Sequence, residues 1–381
     1  MTRPDRTEYR ILDTVLGVTG PETFLSDIDR VYSRFGEACG CINCSRIAWR
    51  GASISIEPLG KAGIRVETSW GNSLLPEVQV LEFVFSVVQN RLIREVRHFF
   101  AIHGASLCIG GKGCIITAPS ATGKTTLCLE LLRRGAGFLS DEIAALDNRA
   151  PAQHAFPRAL SVRPGAPGCP HPVDAATLRE IVLGGERKLV ADAEALFPGS
   201  ARSSTVPHAV FFLTPPAEPP PDEEAGLDCL EISLNALPEG FSERLASLPH
   251  VVCVRQLEGR HYPTLRISHV RGALIVADVD SIAAAAGALI CAQQRGRTAA
   301  PDYSRSPAVR PLKPSEGIRR LLPSILNFKG LAELTTPAVA VFQLTQTARD
   351  LRFFDLTPGP AAEMAALVEK CCAGEGPERP D

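Results

Sequence analysis

The sequence lacks a long apolar run and an excess of charge of either sign, and we expect no N-terminal export signal because no apolar core follows residues 1–6. A membrane-spanning helix needs about 18 or more apolar residues in succession, and the stretch at residues 283–292 is too short. The 40 Lys and Arg residues nearly balance the 42 Asp and Glu residues, which leaves a formal charge of -2. That balance favours neither nucleic acid nor an anionic membrane as a partner. We therefore expect a cytoplasmic protein that binds neither.

Cysteine is diluted, because 12 residues are spread over 381 positions, unlike the pattern of a small disulfide-stabilised secreted domain. Cys39, Cys41 and Cys44 form the one tight group. A zinc site normally takes four ligands, and the next histidines, His98 and His103, are far along the chain. We interpret the group as reduced thiols.

The composition is that of a packed protein, with 45% apolar and 22% charged residues. The length suits two domains or one elaborated domain. Residues 53–58 and 63–69 alternate apolar and polar side chains, which predicts two half-buried strands. Pro76 suits the first position of a helix, and apolar residues at helical spacing continue it to about Arg97. We expect residues 1–97 to form a small α/β module.

The strongest local pattern begins at residue 101. Apolar runs at 101–109 and 114–117 flank Gly110-Gly111-Lys112-Gly113, which predicts a β-hairpin. Leucines at helical spacing predict a helix from Lys124 to the glycine at 135. A short strand at 138–140 leads to two acidic residues, and 143–146 is predicted to continue it.

Later elements are less sharply marked. Residues 209–213, 251–254, 265–268, 339–344 and 351–355 are predicted as strands, and residues 281–294, 318–326 and 361–370 as helices. A Pro-rich acidic loop at 215–226 is too poor in apolar side chains to pack. A second polar, Pro-containing stretch is predicted at 298–315.

Residues 118–125 read Ala-Pro-Ser-Ala-Thr-Gly-Lys-Thr between a strand and a helix. Such a loop binds phosphate because successive backbone N–H groups surround the anion at a helix N-terminus. The usual pattern starts with glycine, where Ala118 stands here. Alanine is tolerated at that position if its φ stays negative, since Gly123 is the residue that must approach the phosphate. We expect the following residues to bind the phosphates of ATP: Pro119, Ser120, Ala121, Thr122, Gly123, Lys124, Thr125 and Thr126.

Two acidic residues are candidates for chemistry at this loop. Lys124 would bridge the outer phosphates, and the Thr125 hydroxyl would ligate Mg²⁺. Asp141 follows Thr125 by 16 residues, and a strand adjacent to that of the loop would bring Asp141 beside the γ-phosphate. An acid there either ligates Mg²⁺ or accepts a proton from an incoming hydroxyl. The alternative is a solvated turn.

A family resemblance rests on four motifs: His103-Gly104, the loop at 118–125, Arg134-Gly135 and Ser140-Asp141-Glu142. Together they resemble the catalytic domain of HPr kinase/phosphorylase, where matching motifs follow at similar spacing. The loop is also similar to that of ATP-dependent phosphoenolpyruvate carboxykinase. The resemblance covers residues 101–147 and implies an α/β fold, an HPr kinase/phosphoenolpyruvate carboxykinase-like P-loop core with a mixed sheet.

The resemblance also implies roles for single residues. Asp141 matches the catalytic aspartate that takes the proton from the acceptor serine, Glu142 the second acid, and His103 a histidine near the reacting phosphate. On this basis we expect Asp141, His103 and Lys124 to be catalytic, and Thr125 and Glu142 to hold Mg²⁺. The substitutions Ala118, Ala121 and Thr126 depart from the family pattern.

A broader group of HPr-kinase-like proteins carries Phe-Pro-Arg after these motifs, as Phe156-Pro157-Arg158 does here. Several are associated with ribosomally made peptides, including lasso peptides, and phosphorylate a peptide serine. Arg158, Lys188 and Arg255 are additional candidates for phosphate contacts, with a plain surface charge as the alternative for each.

The sequence thus predicts an ATP- and Mg²⁺-dependent kinase that transfers the γ-phosphoryl group to a Ser or Thr hydroxyl of a peptide or small protein. A ribosomal peptide precursor is one candidate acceptor. Residues 98–381 would be the kinase domain and residues 1–97 an acceptor-recognition module, with self-association left open. A regulatory or assembly protein that binds nucleotide without transfer is the alternative. A carboxykinase is a poorer third, since no set of metal and oxaloacetate ligands is found.

Overall fold

The computed structural model describes residues 5–32, 50–119, 122–156, 158–162, 179–183, 186–215, 217–234, 236–258, 263–273, 275–288, 290–299 and 301–377. Its strands are β1 (Asp5–Ile11), β2 (Thr14–Gly20), β3 (Arg50–Pro58), β4 (Ile64–Thr68), β5 (Gly71–Leu75), β6 (Phe99–His103), β7 (Ala105–Ile109), β8 (Lys112–Thr117), β9 (Gly137–Ser140), β10 (Ile143–Asp147), β11 (Gln153–His154), β12 (Leu160–Val162), β13 (Arg179–Leu183), β14 (Glu186–Ala191), β15 (Ser204–Leu213), β16 (Asp228–Leu234), β17 (Val251–Leu257), β18 (Thr264–His269), β19 (Ile290–Arg295), β20 (Val309–Leu312) and β21 (Arg352–Leu356). Its α-helices are α1 (Glu22–Tyr32), α2 (Val80–Val87), α3 (Lys124–Arg133), α4 (Ala193–Leu196), α5 (Phe241–Ala246), α6 (Val276–Ala285), α7 (Pro314–Leu321), α8 (Phe328–Leu334), α9 (Pro337–Thr347) and α10 (Ala361–Ala373).

The first five strands form a sheet of their own, in the order β1-β2-β3-β4-β5. β2 and β3 pair in parallel, with α1 in the connection between them, and the other neighbours pair antiparallel. The strands predicted at 53–58 and 63–69 are β3 and β4, and both belong to this sheet. Its apolar side chains share one buried cluster with α1, α2, Phe99 of the next sheet and Phe156, which lies between β11 and β12.

The second sheet has nine strands and carries the predicted phosphate loop. Its centre is parallel, because β15 pairs in parallel with both β8 and β21. Side chains of these strands alternate between two buried clusters, as they must in a strand covered on both faces. Phe211 and Phe354 stack at 5.0 Å on the face covered by α3 and α10. Phe212 and Phe353 lie on the face covered by helices that include α9.

Two smaller sheets complete the described chain. β12-β14-β13 is an antiparallel three-stranded sheet, and β17-β18-β16-β19 is an antiparallel four-stranded sheet with its own apolar cluster. The four-stranded sheet packs its cluster against α5 and α6. The mixed sheet, its parallel centre and its flanking helices confirm the α/β class expected from the sequence.

One predicted strand is a helix. Residues 339–344 lie within α9, where Thr336 caps the N-terminus by accepting a hydrogen bond from the N–H of Val339 at 3.2 Å. Pro337 occupies the first turn, a position that favours a helix because its missing N–H needs no partner there. Ala340 and Leu344 are buried four residues apart, while Phe342 is 62% exposed. The apolar run is therefore one stripe of a helix, and tertiary packing decides its conformation.

The predicted helix at 281–294 is wrong in its second half. α6 ends at Ala285, and Gly287 with φ +67 turns the chain into β19, which pairs antiparallel with β16. Alanine has a high intrinsic helix propensity, but residues 290–295 form backbone pairs with β16 at the edge of the sheet instead. The run predicted at 101–109 is likewise two strands, β6 and β7, separated at Gly104.

Most of the described residues in the Pro-rich loop at 215–226 are exposed, as expected for a loop poor in apolar side chains, and polar contacts anchor it. Glu224 is buried and is bonded to Ser268 and Arg297. The N–H of Glu218 donates to the carbonyl of Arg297 at 3.1 Å. The stretch at 298–315 contains β20.

In the part of the chain that the structure describes, no helix has both the length and the apolar character needed to cross a membrane. The cysteine group at 39, 41 and 44 lies outside the described residues.

Candidate active site

The predicted phosphate loop lies between a buried strand and a buried helix. β8 ends at Thr117 and α3 begins at Lys124, directly after Gly123, whose φ of +93 favours glycine. A Cβ added to Gly123 would lie 3.2 Å from Cε1 of Tyr303. Among the described residues, no side chain caps the N-terminus of α3, so its first backbone N–H groups are available to an anion. Ser120 and Ala121 lie outside the described residues.

Helix α3 is fixed in direction by its buried face. Leu127, Leu131 and Leu132 are buried at helical spacing. Gly135, with φ +94, ends the helix, and the next N–H, of Ala136, donates back to the carbonyl of Leu131 at 3.0 Å. A rigidly packed helix holds its N-terminus, and therefore the loop, in one place.

Asp141 lies at the same edge of the sheet as the phosphate loop, although the strand before it is not the neighbour of β8. We expected the strand before Asp141 to be adjacent to β8, but β7 lies between β8 and β9. Because β7 is antiparallel to both, β8 and β9 run parallel and end at the same edge. Two strand spacings place Asp141 about 10 Å along that edge from the start of the loop.

Asp141 is a buried acid with one unsatisfied oxygen. Its side chain is 3% exposed. Its Oδ2 accepts a hydrogen bond from the N–H of Ser161 at 3.2 Å, and its Oδ1 has no hydrogen-bond partner among the described residues. Burial raises the pKa of Asp141, the nearby Glu142 raises it further, and the charges of Arg158 and Lys124 oppose this. A solvated turn acid would show neither the burial nor the raised pKa.

The turn that carries both acids is locked to the strand of His103. The Ser140 hydroxyl accepts from the N–H groups of Glu142 and Ile143 at 3.1 and 3.0 Å. The carbonyl of Glu142 accepts from the N–H of Gly104 at 3.0 Å. Gly104 also lies close against β8, since a Cβ there would be 2.8 Å from the carbonyl oxygen of residue 116. The His103-Gly104 and Ser140-Asp141-Glu142 motifs therefore meet at one junction between β6, β9 and β10. Residues 143–146 belong to the separate strand β10 and do not continue β9.

Glu142 differs from Asp141 in the direction in which its surroundings move its pKa. Burial raises the pKa of Glu142, but the charge of Lys124, a hydrogen bond with His103 and the charge of Arg158 outweigh burial and hold it well below its ordinary value. The Nε2 of His103 lies 3.5 Å from Oε1 of Glu142. Two neighbouring carboxyl groups with pKa values moved in opposite directions are suited to different roles.

Of the three loose basic residues, the structure brings Arg158 to the acids. Arg158 is 9% exposed, and its guanidinium lies 5.8 Å from the centre of the Phe85 ring. Its Nε has no hydrogen-bond partner among the described residues. By contrast, Arg255 lies on β17 and donates a hydrogen bond to Glu223 at 2.6 Å, and Lys188 lies on β14.

Three contacts at the site could not be predicted from motifs in the sequence. Ser161 supplies its backbone N–H to Asp141 from β12, and Tyr303 lies over Gly123 from a distant segment. Tyr32, at the end of α1, is close enough to Arg158 for that charge to act on its hydroxyl, although burial raises the pKa of Tyr32 to about 12. These contacts are made by tertiary packing between residues far apart in the chain.

The donor groups suit a phosphate with Mg²⁺. Mg²⁺ takes oxygen ligands and is commonly held by one or two protein groups plus phosphate. The unsatisfied Oδ1 of Asp141 can take either Mg²⁺ or the proton of an acceptor hydroxyl. The adjacent Glu142 supplies a second carboxyl group with a lowered pKa, and Thr125 places a hydroxyl in the first turn of α3. Within the described ranges, no group of three or more His, Cys, Asp or Glu side chains forms a protein-only metal cage.

Comparisons with known proteins agree with the sequence motifs. No protein-family model matches the chain. Sixty residues are 38% identical to the HPr kinase/phosphorylase of Aromatoleum aromaticum, which is 16% of this chain and 19% of that protein. Fifty residues are 42% identical to the HPr kinase/phosphorylase of Bordetella pertussis, 13% of this chain and 16% of that protein.

The chain therefore spans about a fifth or less of the length of these curated relatives. A solved structure, the Hpr(Ser) kinase/phosphatase of Coxiella burnetii, aligns over 32% of this chain and 70% of that chain, at 22% identity and a TM-score of 0.22. The two curated matches confirm the resemblance expected from the motifs: over the 60 and 50 residues matched, the chain is similar to HPr kinase/phosphorylase.

Proposed function

We propose that this chain is an ATP- and Mg²⁺-dependent kinase that transfers the γ-phosphoryl group to a Ser or Thr hydroxyl of a peptide or protein. The observation that carries the proposal is that Asp141 lies at the same edge of the sheet as the phosphate loop. A buried acid with a raised pKa and a free oxygen ends the strand that runs parallel to the loop strand, at the same edge of the sheet.

The donor end is assigned to the loop and α3. Backbone N–H groups of the loop residues after Pro119, through Thr126, and the Lys124 ammonium would hold the phosphates. Thr125 and Glu142 would hold Mg²⁺, which supplies charge neutralisation between the β- and γ-phosphates. The low pKa of Glu142 supports this role, because a metal ligand must stay ionised.

The acceptor end is assigned to Asp141. The acceptor oxygen forms a bond to the γ-phosphorus while the bond from that phosphorus to the β,γ-bridging oxygen breaks. ADP leaves with those electrons, and the acceptor proton moves to Asp141. A carboxylate with a raised pKa is a better base than an ordinary one, and burial of Asp141 supports that role. His103 would orient Glu142 through the contact at 3.5 Å.

A polypeptide acceptor is supported by the name HPr kinase of the partial relatives, and a ribosomal peptide precursor is one such acceptor. The N-terminal module at 1–97 is proposed to recognise it. This is supported by contacts of that module with the acid side of the site, where the N–H of Ala159 donates to the carbonyl of Val31 at 3.0 Å and Phe85 lies against Arg158.

The test is incubation with Mg²⁺ and [γ-³²P]ATP on an array of Ser- and Thr-containing peptides. We expect labelled peptides with the wild-type chain and none with Lys124→Ala. Lys329→Ala is the matched control, because Lys329 is an exposed lysine on α8 whose charged neighbour is Glu333. Bound ATP without transfer or hydrolysis would favour a regulatory nucleotide-binding protein, and equal labelling by Lys124→Ala would end the proposal.

A further inference from the structure

A large cavity lies between the nine-stranded sheet and the four-stranded sheet. Its volume is about 1230 Å³, above the roughly 300–1,000 Å³ of pockets that hold drug-sized ligands. One wall comes from the ends of β15 and β21, with Thr214 and Leu356, and the opposite wall comes from β16 and α6, with Leu230 and Ile275. The sequence motifs give no sign of this cavity.

The cavity begins directly beside the phosphate loop. Phe212 of β15 is in register with Thr117, the last residue of β8, and Leu213 is in register with Leu356. Thr214, which lines the cavity, directly follows β15, as the loop directly follows β8, and adjacent strands lie about 4.8 Å apart. The segment at 301–308 also joins the two places, since Tyr303 lies over Gly123 and Ala308 lines the cavity.

The acids and the cavity flank the loop on opposite sides. The strand order β15-β8-β7-β9 places Asp141 beyond one edge of the loop strand and the cavity beyond the other. Phosphoryl transfer needs the attacking and leaving oxygens roughly in line. An acceptor activated by Asp141 therefore attacks from one side, and the β- and α-phosphates with their nucleoside extend toward the other. The charge of Lys124, which acts on both acids, agrees with the outer phosphates lying on the acid side.

We propose that the cavity at the ends of β15 and β21 binds the nucleoside of the donor nucleotide. This inference rests on the proposed function, because it takes its direction from the acceptor side of the reaction.

The chemistry of the walls suits a nucleoside. Leu227, Ala273 and Val276 line the cavity and are half-buried, so they supply apolar surface for a flat base. Asp280 on α6 lines the same cavity and has no ion-pair or hydrogen-bond partner within the described residues. A free carboxylate accepts hydrogen bonds from ribose hydroxyls.

The experiment compares the binding of MgATP with that of magnesium tripolyphosphate by calorimetry. Tripolyphosphate has the three phosphates without the nucleoside, so it reports the loop alone. Ala277→Trp and Asp280→Trp place a bulky ring at two exposed positions of the cavity wall. Ala285→Trp is the matched control, since Ala285 is an exposed alanine on the same helix outside the cavity lining.

We expect the two cavity variants to lose about tenfold or more in ATP affinity, the scale of one stacked base, and to keep their tripolyphosphate affinity. Retained tripolyphosphate binding also shows that a variant is folded. Unchanged ATP binding in such a variant would overturn the inference, as would equal affinity of the wild-type chain for ATP and tripolyphosphate. Both results leave the proposed kinase standing. Failure of the wild-type chain to bind tripolyphosphate would instead overturn the proposed function together with this inference.

Discussion

Replacing Asp141 by asparagine tests the proposed chemistry at a single atom. Asn keeps the size of the side chain and one carbonyl oxygen, so the hydrogen bond from the N–H of Ser161, at 3.2 Å in the wild type, can be retained. The substitution removes the basic lone pair of the second oxygen. We expect transfer to a peptide to fall by roughly 10²–10⁴, the usual contribution of general-base catalysis.

The structure also predicts what should not change. Asp141 is 3% exposed, and burial of its charge is unfavourable, so a neutral amide should leave the fold intact. ATP affinity should stay within a few-fold, because the phosphates are assigned to the loop and Lys124. The assay is steady-state labelling of a peptide that the wild-type chain phosphorylates, alongside calorimetric ATP binding.

Asp13→Asn provides a matched control. Asp13 is also buried, accepts from two backbone N–H groups at 2.9 and 3.0 Å through Oδ2, and has an Oδ1 without a hydrogen-bond partner among the described residues. It lies on the N-terminal module, so its substitution should leave the chemical step unchanged. If Asp141→Asn loses ATP–Mg²⁺ affinity along with rate, Asp141 is a metal ligand and Glu142 becomes the candidate base. If Asp141→Asn changes neither, the reasoning from the site is refuted.

Substitutions at Arg158, at Gly104 and in α9 provide three further tests. Arg158→Met removes a positive charge that lowers the pKa of Asp141, so that pKa should rise. Because a base must be deprotonated to act, the acidic limb of the kcat–pH profile should then move to higher pH. Arg158→Lys keeps the charge and should leave the limb near its wild-type position. Gly104→Ala adds a Cβ 2.8 Å from a backbone carbonyl oxygen, which should cost about 1–3 kcal/mol in urea unfolding; wild-type stability would contradict the packing at this junction. Leu344→Ala should cost about 2–5 kcal/mol and Phe342→Ala close to nothing, since one side chain is buried and the other is 62% exposed. Equal losses would favour the strand first predicted there, because residues two apart share a face of a strand.

The site was predictable where its chemistry is local in the chain. The glycine, lysine and threonine before an amphipathic helix specify the loop, because the backbone conformation and the helix N-terminus are set by adjacent residues. The hairpin of β7 and β8 follows in the same way from Gly110 and Gly111, which both have positive φ.

Residue identity alone could not give the order of the strands. Asp141 was placed at the correct edge of the sheet for an incomplete reason, since β7 separates its strand from that of the loop. The parallel direction of β8 and β9 depends on two antiparallel pairings, and neither pairing is encoded within a single segment. Arg158 could be named as a candidate, but its burial against Phe85 required the packing of the N-terminal module.

The helix α9 shows the limit of apolar periodicity. Residues 339–344 contain enough apolar side chains for a short buried strand, and length alone did not exclude it. The start signal was present in Thr336-Pro337, a capping threonine followed by proline in the first turn. Weighing the cap above the apolar run would have given the helix.

The measurement that tests the central claim most directly follows the γ- and α-phosphates of ATP separately. Parallel reactions of the wild-type chain with an accepted peptide would use [γ-³²P]ATP in one and [α-³²P]ATP in the other. The proposed kinase predicts label on a Ser or Thr of the peptide from the γ-position alone, with that label lost in Lys124→Ala. Label from the α-position, or intact ATP and an unlabelled peptide in both reactions, would contradict it.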